Sequence, residues 1–112
     1  MAPKSVRQAR LLTDFPPAGH RVATYKTRVY TYRQDLLVRM SRDPVRALRE
    51  FKQLVAADRA LSQWVAAHLC MRQANAPLGA WMRTTDMQRD LYTQQLLRHL
   101  EAPNEATAYY IL

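Results

Sequence analysis

Hydrophobic positions in this chain recur at steps of three and four over most of its length. Val22, Tyr25, Val29, Tyr32, Leu36 and Met40 form one such stripe, and the spacing predicts an amphipathic helix from Arg21 to Met40. A strand competes over residues 24–32, because TYKTRVYTY is rich in β-branched and aromatic residues with some alternation. That strand needs a partner, and only TAYYIL at the carboxyl end offers one. Length favours the helix. Its tyrosines then divide, with Tyr25 and Tyr32 on the core stripe and mainly Tyr30 outside.

The clearest local signal is SRDPVRALREF, residues 41–51. Asp43 is a natural N-cap, and Pro44 suits the first helical position, where its missing N–H costs nothing. Val45, Leu48, Phe51 (or Lys52) and Val55 make the apolar stripe of this second helix. Arg42, Arg46, Arg49 and Lys52 lie mostly on its flanks, with Glu50 alone in opposition. Asp58 is the expected cap of a third helix, RALSQWVAAHLCMRQA, whose buried face is Leu61, Trp64, Val65, His68 and Leu69. NAPLG breaks it. Thr85 with Gln88 has the capping-box spacing of a fourth helix. Met87, Leu91, Leu97 and Leu100 follow, and Pro103 stops it.

These elements predict an all-α protein, a small three- to four-helix bundle over residues 21–101. Residues 1–20 read as an extended basic arm closed by Pro16-Pro17-Ala18-Gly19, and 102–112 as an apolar tail that docks on the bundle or on a neighbour. Composition supports this picture. With 2 Gly and 6 Pro in 112 residues, turn residues are too few for a many-stranded β fold. Hydrophobic residues make up 48%, enough for one core. No apolar run reaches the roughly 18 residues of a membrane span.

Charge changes the functional picture more than the fold. The formal net charge is +8, which favours an anionic partner: RNA, an acidic protein or an anionic membrane face. The single cysteine, Cys70, rules out an internal disulfide and reads as a small buried hydrophobe. Before Asp14 the chain carries Lys4, Arg7 and Arg10 and no acid, with Val6, Leu11 and Leu12 between them. That composition is equally that of a mitochondrial import sequence or of a plain basic arm.

Catalytic chemistry is not indicated. His20, His68 and His99 are far apart and have no metal-ligand spacing with a second His, Cys or carboxylate. His68 on an apolar face reads as a hydrogen-bonded core residue. Two isolated glycines cannot build a phosphate loop. Asp43, Asp58 and Asp86 are explained by capping and first-turn placement. No enzyme activity and no cofactor are expected. Tyrosines among arginines could stack on RNA bases, but the basic residues are spread out and no RNA-binding signature is present. A docking subunit uses the same residues differently. Its arginines fork onto carboxylates, while Trp81, Tyr109 and Tyr110 offer anchors to neighbours.

The order of features resembles the LYR-motif family of small mitochondrial accessory and assembly proteins. The nearest triplets are Thr31-Tyr32-Arg33 and Thr24-Tyr25-Lys26, and PVRALREFKQLVAADRALSQW is similar to the family's second-helix pattern. In that pattern Phe51 stands for the family's phenylalanine and Asp58 for its acid. Neither triplet has the leucine, Tyr32 lies too close to Phe51, and Tyr25 is followed by lysine. The resemblance implies a three-helix core that docks on respiratory-chain subunits and often on an acidic acyl carrier protein, taking its acyl chain between the helices. Carried over, Lys26, Arg28, Arg33, Arg46 and Arg49 would engage the acidic partner, and Tyr25 and Phe51 would line the acyl groove.

The expectation is therefore a non-catalytic accessory subunit of a large mitochondrial complex of the respiratory chain, in the matrix or on the matrix side of the inner membrane. The alternative is an RNA-contacting subunit of a ribosome-type particle.

Overall fold

The computed structural model describes residues 15–102. Among the described residues four α-helices run in order: α1 Val22–Arg42, α2 Pro44–Ala57, α3 Arg59–Gln73 and α4 Asp86–Glu101, with a 3-10 turn, η1, at Ala80–Arg83. The described residues contain no strand, and the 24–32 segment is helix. The predicted all-α bundle is what the chain forms. The arm before Phe15 and the tail beyond Ala102 lie outside the described residues. Among the described residues, no helix is long and apolar enough to cross a membrane.

The helix starts follow from their caps. Asp43 accepts a hydrogen bond from the Arg46 N–H at 3.1 Å, with Pro44 at the first position of α2. Asp58 does the same for Leu61 at the start of α3. Thr85 and Gln88 close a full capping box on α4. Each cap satisfies N–H groups that the helix cannot, typically for about 1 kcal/mol.

Helix α3 is the centre of the molecule. All ten residues from Leu61 to Cys70 are buried, so it is enclosed on every side rather than on one face. It packs against α1, α2, α4 and η1, while α2 also touches α1 and α4. Core side chains around it include Tyr25, Val29, Leu36 and Met40 of α1, Ala47 and Phe51 of α2, and Leu96 and Leu100 of α4. Phe15 inserts its ring edge-on among Tyr25, Trp64 and Trp81, so the last residues of the predicted arm belong to the bundle.

Several expected faces need correction. Val45 is 68% exposed, because α2 buries the line Ala47, Phe51 and Leu54 and Val45 lies across the helix from it. Met87 and Leu91 are exposed for the same reason: α4 turns Arg89, Thr93, Leu96 and Leu100 inward. Polar Arg89 and Thr93 hide this stripe from a hydrophobic count. Trp81 is not an anchor for neighbours. It is buried by η1 against Phe15, Tyr30, Trp64 and His68. Val22 is exposed at the first turn of α1. Tyr32 is 42% exposed although its helical phase points it inward, because α1 and α2 leave a cleft there.

Candidate functional site

The seven residues singled out from the sequence do not meet in one place. Tyr25 is buried under His20 and Phe15, with the Arg28 guanidinium 5.7 Å from its ring centre. Burial, then the nearby Asp58 carboxylate, pushes its phenol up to about 12. Arg28 binds Asp58 at 3.2 Å and so ties α1 to the joint between α2 and α3. Tyr25 and Arg28 thus have structural work inside the fold. Lys26 is half-buried further round α1, one turn before Tyr30.

Arg46 and Arg49 are exposed on α2. Arg49 lies one turn beyond the exposed Val45 and shares its side of α2, while Arg46 follows it in the chain and Arg42 closes α1 just before the joint. The local acid is Glu50, which faces both Arg46 at 3.1 Å and Arg39. One carboxylate shared between two guanidiniums leaves this face positive. Arg42 and Arg49 have no ion-pair partner among the described residues.

Among the described acids only Asp35, at the cleft between α1 and α2, is neither ion-paired nor capping a helix. Asp58, Glu50, Glu101, Asp90 and Asp86 all stand in ion pairs, and Asp43 is occupied as a cap. Such exposed pairs add little stability, on the order of 0–1 kcal/mol each. Their effect on the surface field is larger, because they cancel most of the negative charge of the described residues internally. Arg21, Lys26, Arg33, Arg42, Arg49, Arg72, Arg83 and Arg98 remain without an ion pair among the described residues.

Phe51 lines a cleft of about 430 Å³ between α1 and α2. Leu36, Phe51, Leu54 and Val65 supply its apolar wall, Tyr32 stands in its wall partly open to solvent, and Asp35, Arg39 and Glu50 add polar groups. Of the two aromatics carried over from the family pattern, Phe51 borders this cleft and Tyr25 does not. Arg33 lines a different and larger cavity, between α1, α3 and the loop before η1.

Residues that sequence reasoning missed are Arg72, Leu78 and Arg89. Arg72 joins Arg33 at the larger cavity, Leu78 stands in its rim, and Arg89 is buried against Trp64. Arg72 had a readable signal, since it lies one helical turn beyond His68. No short-range pattern marks the other two.

Set against known protein families, characterised proteins and solved structures, the chain matches none of them.

Proposed function

We propose that this chain is a non-catalytic docking subunit of a larger assembly, and that the arginine face at the start of α2 receives an acidic protein partner. One observation carries the reading. Val45 is 68% exposed at the start of α2, with Arg49 one turn on along the same side and Arg42 and Arg46 close by in the chain, and the nearby acid Glu50 is already engaged by Arg39 and Arg46. An exposed apolar residue with arginines close by is the composition of an interface core with a charged rim. Arginine suits the partner because its planar fork binds carboxylates in two-pronged fashion. The cleft beside Phe51 and Tyr32 supports the accompanying idea that an apolar extension of the partner lodges between α1 and α2. Placement in mitochondria, at the respiratory chain, rests on the sequence resemblance and the basic amino terminus.

A second reading, contact with RNA, gains from the exposure of Tyr32. With Tyr30 also partly exposed, two tyrosine rings rather than one stand near basic residues. Both can serve as stacking surfaces.

The test is a native pull-down of the tagged chain, with and without ribonuclease, run in parallel with Arg46→Glu/Arg49→Glu. The docking reading expects ribonuclease-resistant partners that the double variant loses while its helical circular dichroism is unchanged. Partners retained by the double variant would overturn it. Partners lost on ribonuclease treatment would move the assignment to RNA, where affinity falls steeply with salt.

A further inference from the structure

The cavity that takes in Arg33 has a volume of about 650 Å³ and lies between α1, α3 and residues 75–81. Ligand pockets for small organic molecules span roughly 300–1,000 Å³, so its size is that of a binding site. Three features distinguish it from an ordinary surface hollow.

The first is charge without counter-charge. Arg33 and Arg72 both line it, and no carboxylate does. Neither arginine has an ion pair among the described residues. Asp35, two residues from Arg33, faces the other cleft. Burial, then repulsion from Arg72, holds the Arg33 guanidinium below the ordinary arginine range.

The second is unmet hydrogen bonding. Nε and Nη1 of Arg33 and Nδ1 of His68 are closed off from solvent and have no partner. His68 is 9% exposed. Buried polar groups in folded proteins are ordinarily paired, so three such atoms in two residues that line one cavity call for an explanation.

The third is an apolar lip. Leu78 is 98% exposed at the rim, beside Pro77 and Met71. The loop that presents it is fixed rather than loose. Asn75 takes the left-handed conformation at φ 57°, with Ala76 N–H donating to the Met71 carbonyl at 2.9 Å. Ala80 N–H donates to the Pro77 carbonyl at 3.0 Å. Holding an apolar side chain in water on a preformed loop lowers the ordering cost of whatever binds over it.

We propose that this cavity is a binding site for a small organic anion, a carboxylate or phosphate head carried on an apolar or aromatic body. The head group sits between Arg33 and Arg72 and supplies the missing counter-charge. The body lies along Tyr30, Met71 and Leu78, with Trp81 and His68 behind it. This site is separate from the arginine face on α2 and does not rest on the docking reading.

The test uses the full chain with three probes of one shape: benzoate, phenyl phosphate and the uncharged benzyl alcohol. Binding is followed by NMR through the ring resonances of Tyr30, His68 and Trp81. The expected result is saturable binding of an anion that shifts those rings, with benzyl alcohol much weaker. Preference for benzoate assigns a carboxylate ligand, and preference for phenyl phosphate a phosphorylated one. Arg33→Gln/Arg72→Gln should weaken the preferred anion by about tenfold or more, the scale of losing hydrogen bonds to a charged group. Leu78→Asp, at a position too exposed to affect folding, should also weaken it by placing a carboxylate at the rim. Arg46→Glu/Arg49→Glu should leave anion binding unchanged, which separates this site from the docking face. No saturable anion binding, equal binding of benzyl alcohol, or indifference to both cavity variants would overturn the proposal.

Discussion

The guanidinium carbon of Arg89 lies 3.8 Å from the centre of the Trp64 ring, in the interface between α3 and α4. Arg89 is only 2% exposed. It donates to the Thr84 carbonyl and approaches Asp86 at 3.8 Å, so its charge is held by a carbonyl, a carboxylate and an aromatic face together. Burial lowers its pKa from the ordinary arginine value, and the Asp86 carboxylate pulls in the other direction. A cation stacked on a desolvated ring can contribute about 2 kcal/mol.

Arg89→Ala should therefore lower unfolding stability by about 3 kcal/mol, through both the lost stacking and the space left beside Trp64. Arg89→Met, which keeps most of the volume without the charge, should lose clearly less. Urea denaturation of the two variants checks this. An unchanged midpoint for Arg89→Ala would mean that the stack contributes nothing.

His68 gives a pH dependence. Burial, then the charges of Arg33 and Arg72, lowers it to about 4. Arg33 and Tyr30 face it from α1, Arg72 from its own helix and the Trp81 ring from η1. The folded state keeps the ring neutral, whereas the unfolded chain takes up a proton below the ordinary value of 6.5. The stability due to this group is complete above pH 6.5 and is lost as pH falls towards 4. The full loss is at most about 3 kcal/mol. Comparing the stability of wild type and His68→Gln at pH 7 and 4.5 isolates it, since the variant should lack this part of the slope.

Asp58 has two separable tasks. Its carboxylate caps α3 by accepting from Leu61 N–H at 3.1 Å, and it pairs with Arg28 at 3.2 Å. Asp58→Asn keeps a capping oxygen and loses only the partly exposed ion pair, so it should cost less than about 1 kcal/mol. Asp58→Ala loses both and should cost about 1–2 kcal/mol. Thermal unfolding at two salt concentrations checks the division, because salt weakens the ion-pair part and leaves the cap.

Gly79 precedes η1 with φ 83°, a conformation that side chains resist, and an added Cβ would come within 3.1 Å of the Met82 methyl. Gly79→Ala should cost about 1 kcal/mol or more. It should also disturb the turn that seats Trp81, visible as a change in near-ultraviolet circular dichroism. A silent near-ultraviolet spectrum would show that the turn absorbs the change.

Helix ends were the most legible part of this protein, because caps are local chemistry. Asp43-Pro44, Asp58 and Thr85 with Gln88 act within four residues of themselves, and all three start helices as their spacing predicts. Buried faces were less legible. The α4 face contains Arg89, whose burial depends on Trp64 and Thr84, partners distant or outside the helix, and Thr93, which is buried with its hydroxyl donating to the Arg89 carbonyl. Tyr32 shows the converse, since its phase along α1 is right for the core but the spacing of α1 and α2 leaves it half in solvent. For the candidate sites, Arg46 and Arg49 could be chosen by residue type alone. The pairing of Arg33 with Arg72 could not, because it requires α1 and α3 to close side by side. Trp81 looked like an anchor for others because nothing near it in sequence covers it.

Asp43 and Asp58 each end one helix and begin the next. The N–H of Asp43 closes on the Arg39 carbonyl at 2.7 Å while its carboxylate caps α2, and Asp58 repeats this between α2 and α3. The chain from Val22 to Gln73 therefore has no slack at its joints. A residue inserted at either joint would part the cap from the helix end it closes, and one inserted within α2 would turn the part beyond it by about 100°. Since α3 is buried all round, such a turn would mis-seat a whole layer of the core at once. Added length at these two corners therefore carries a cost in caps and in packing that an ordinary surface loop would not.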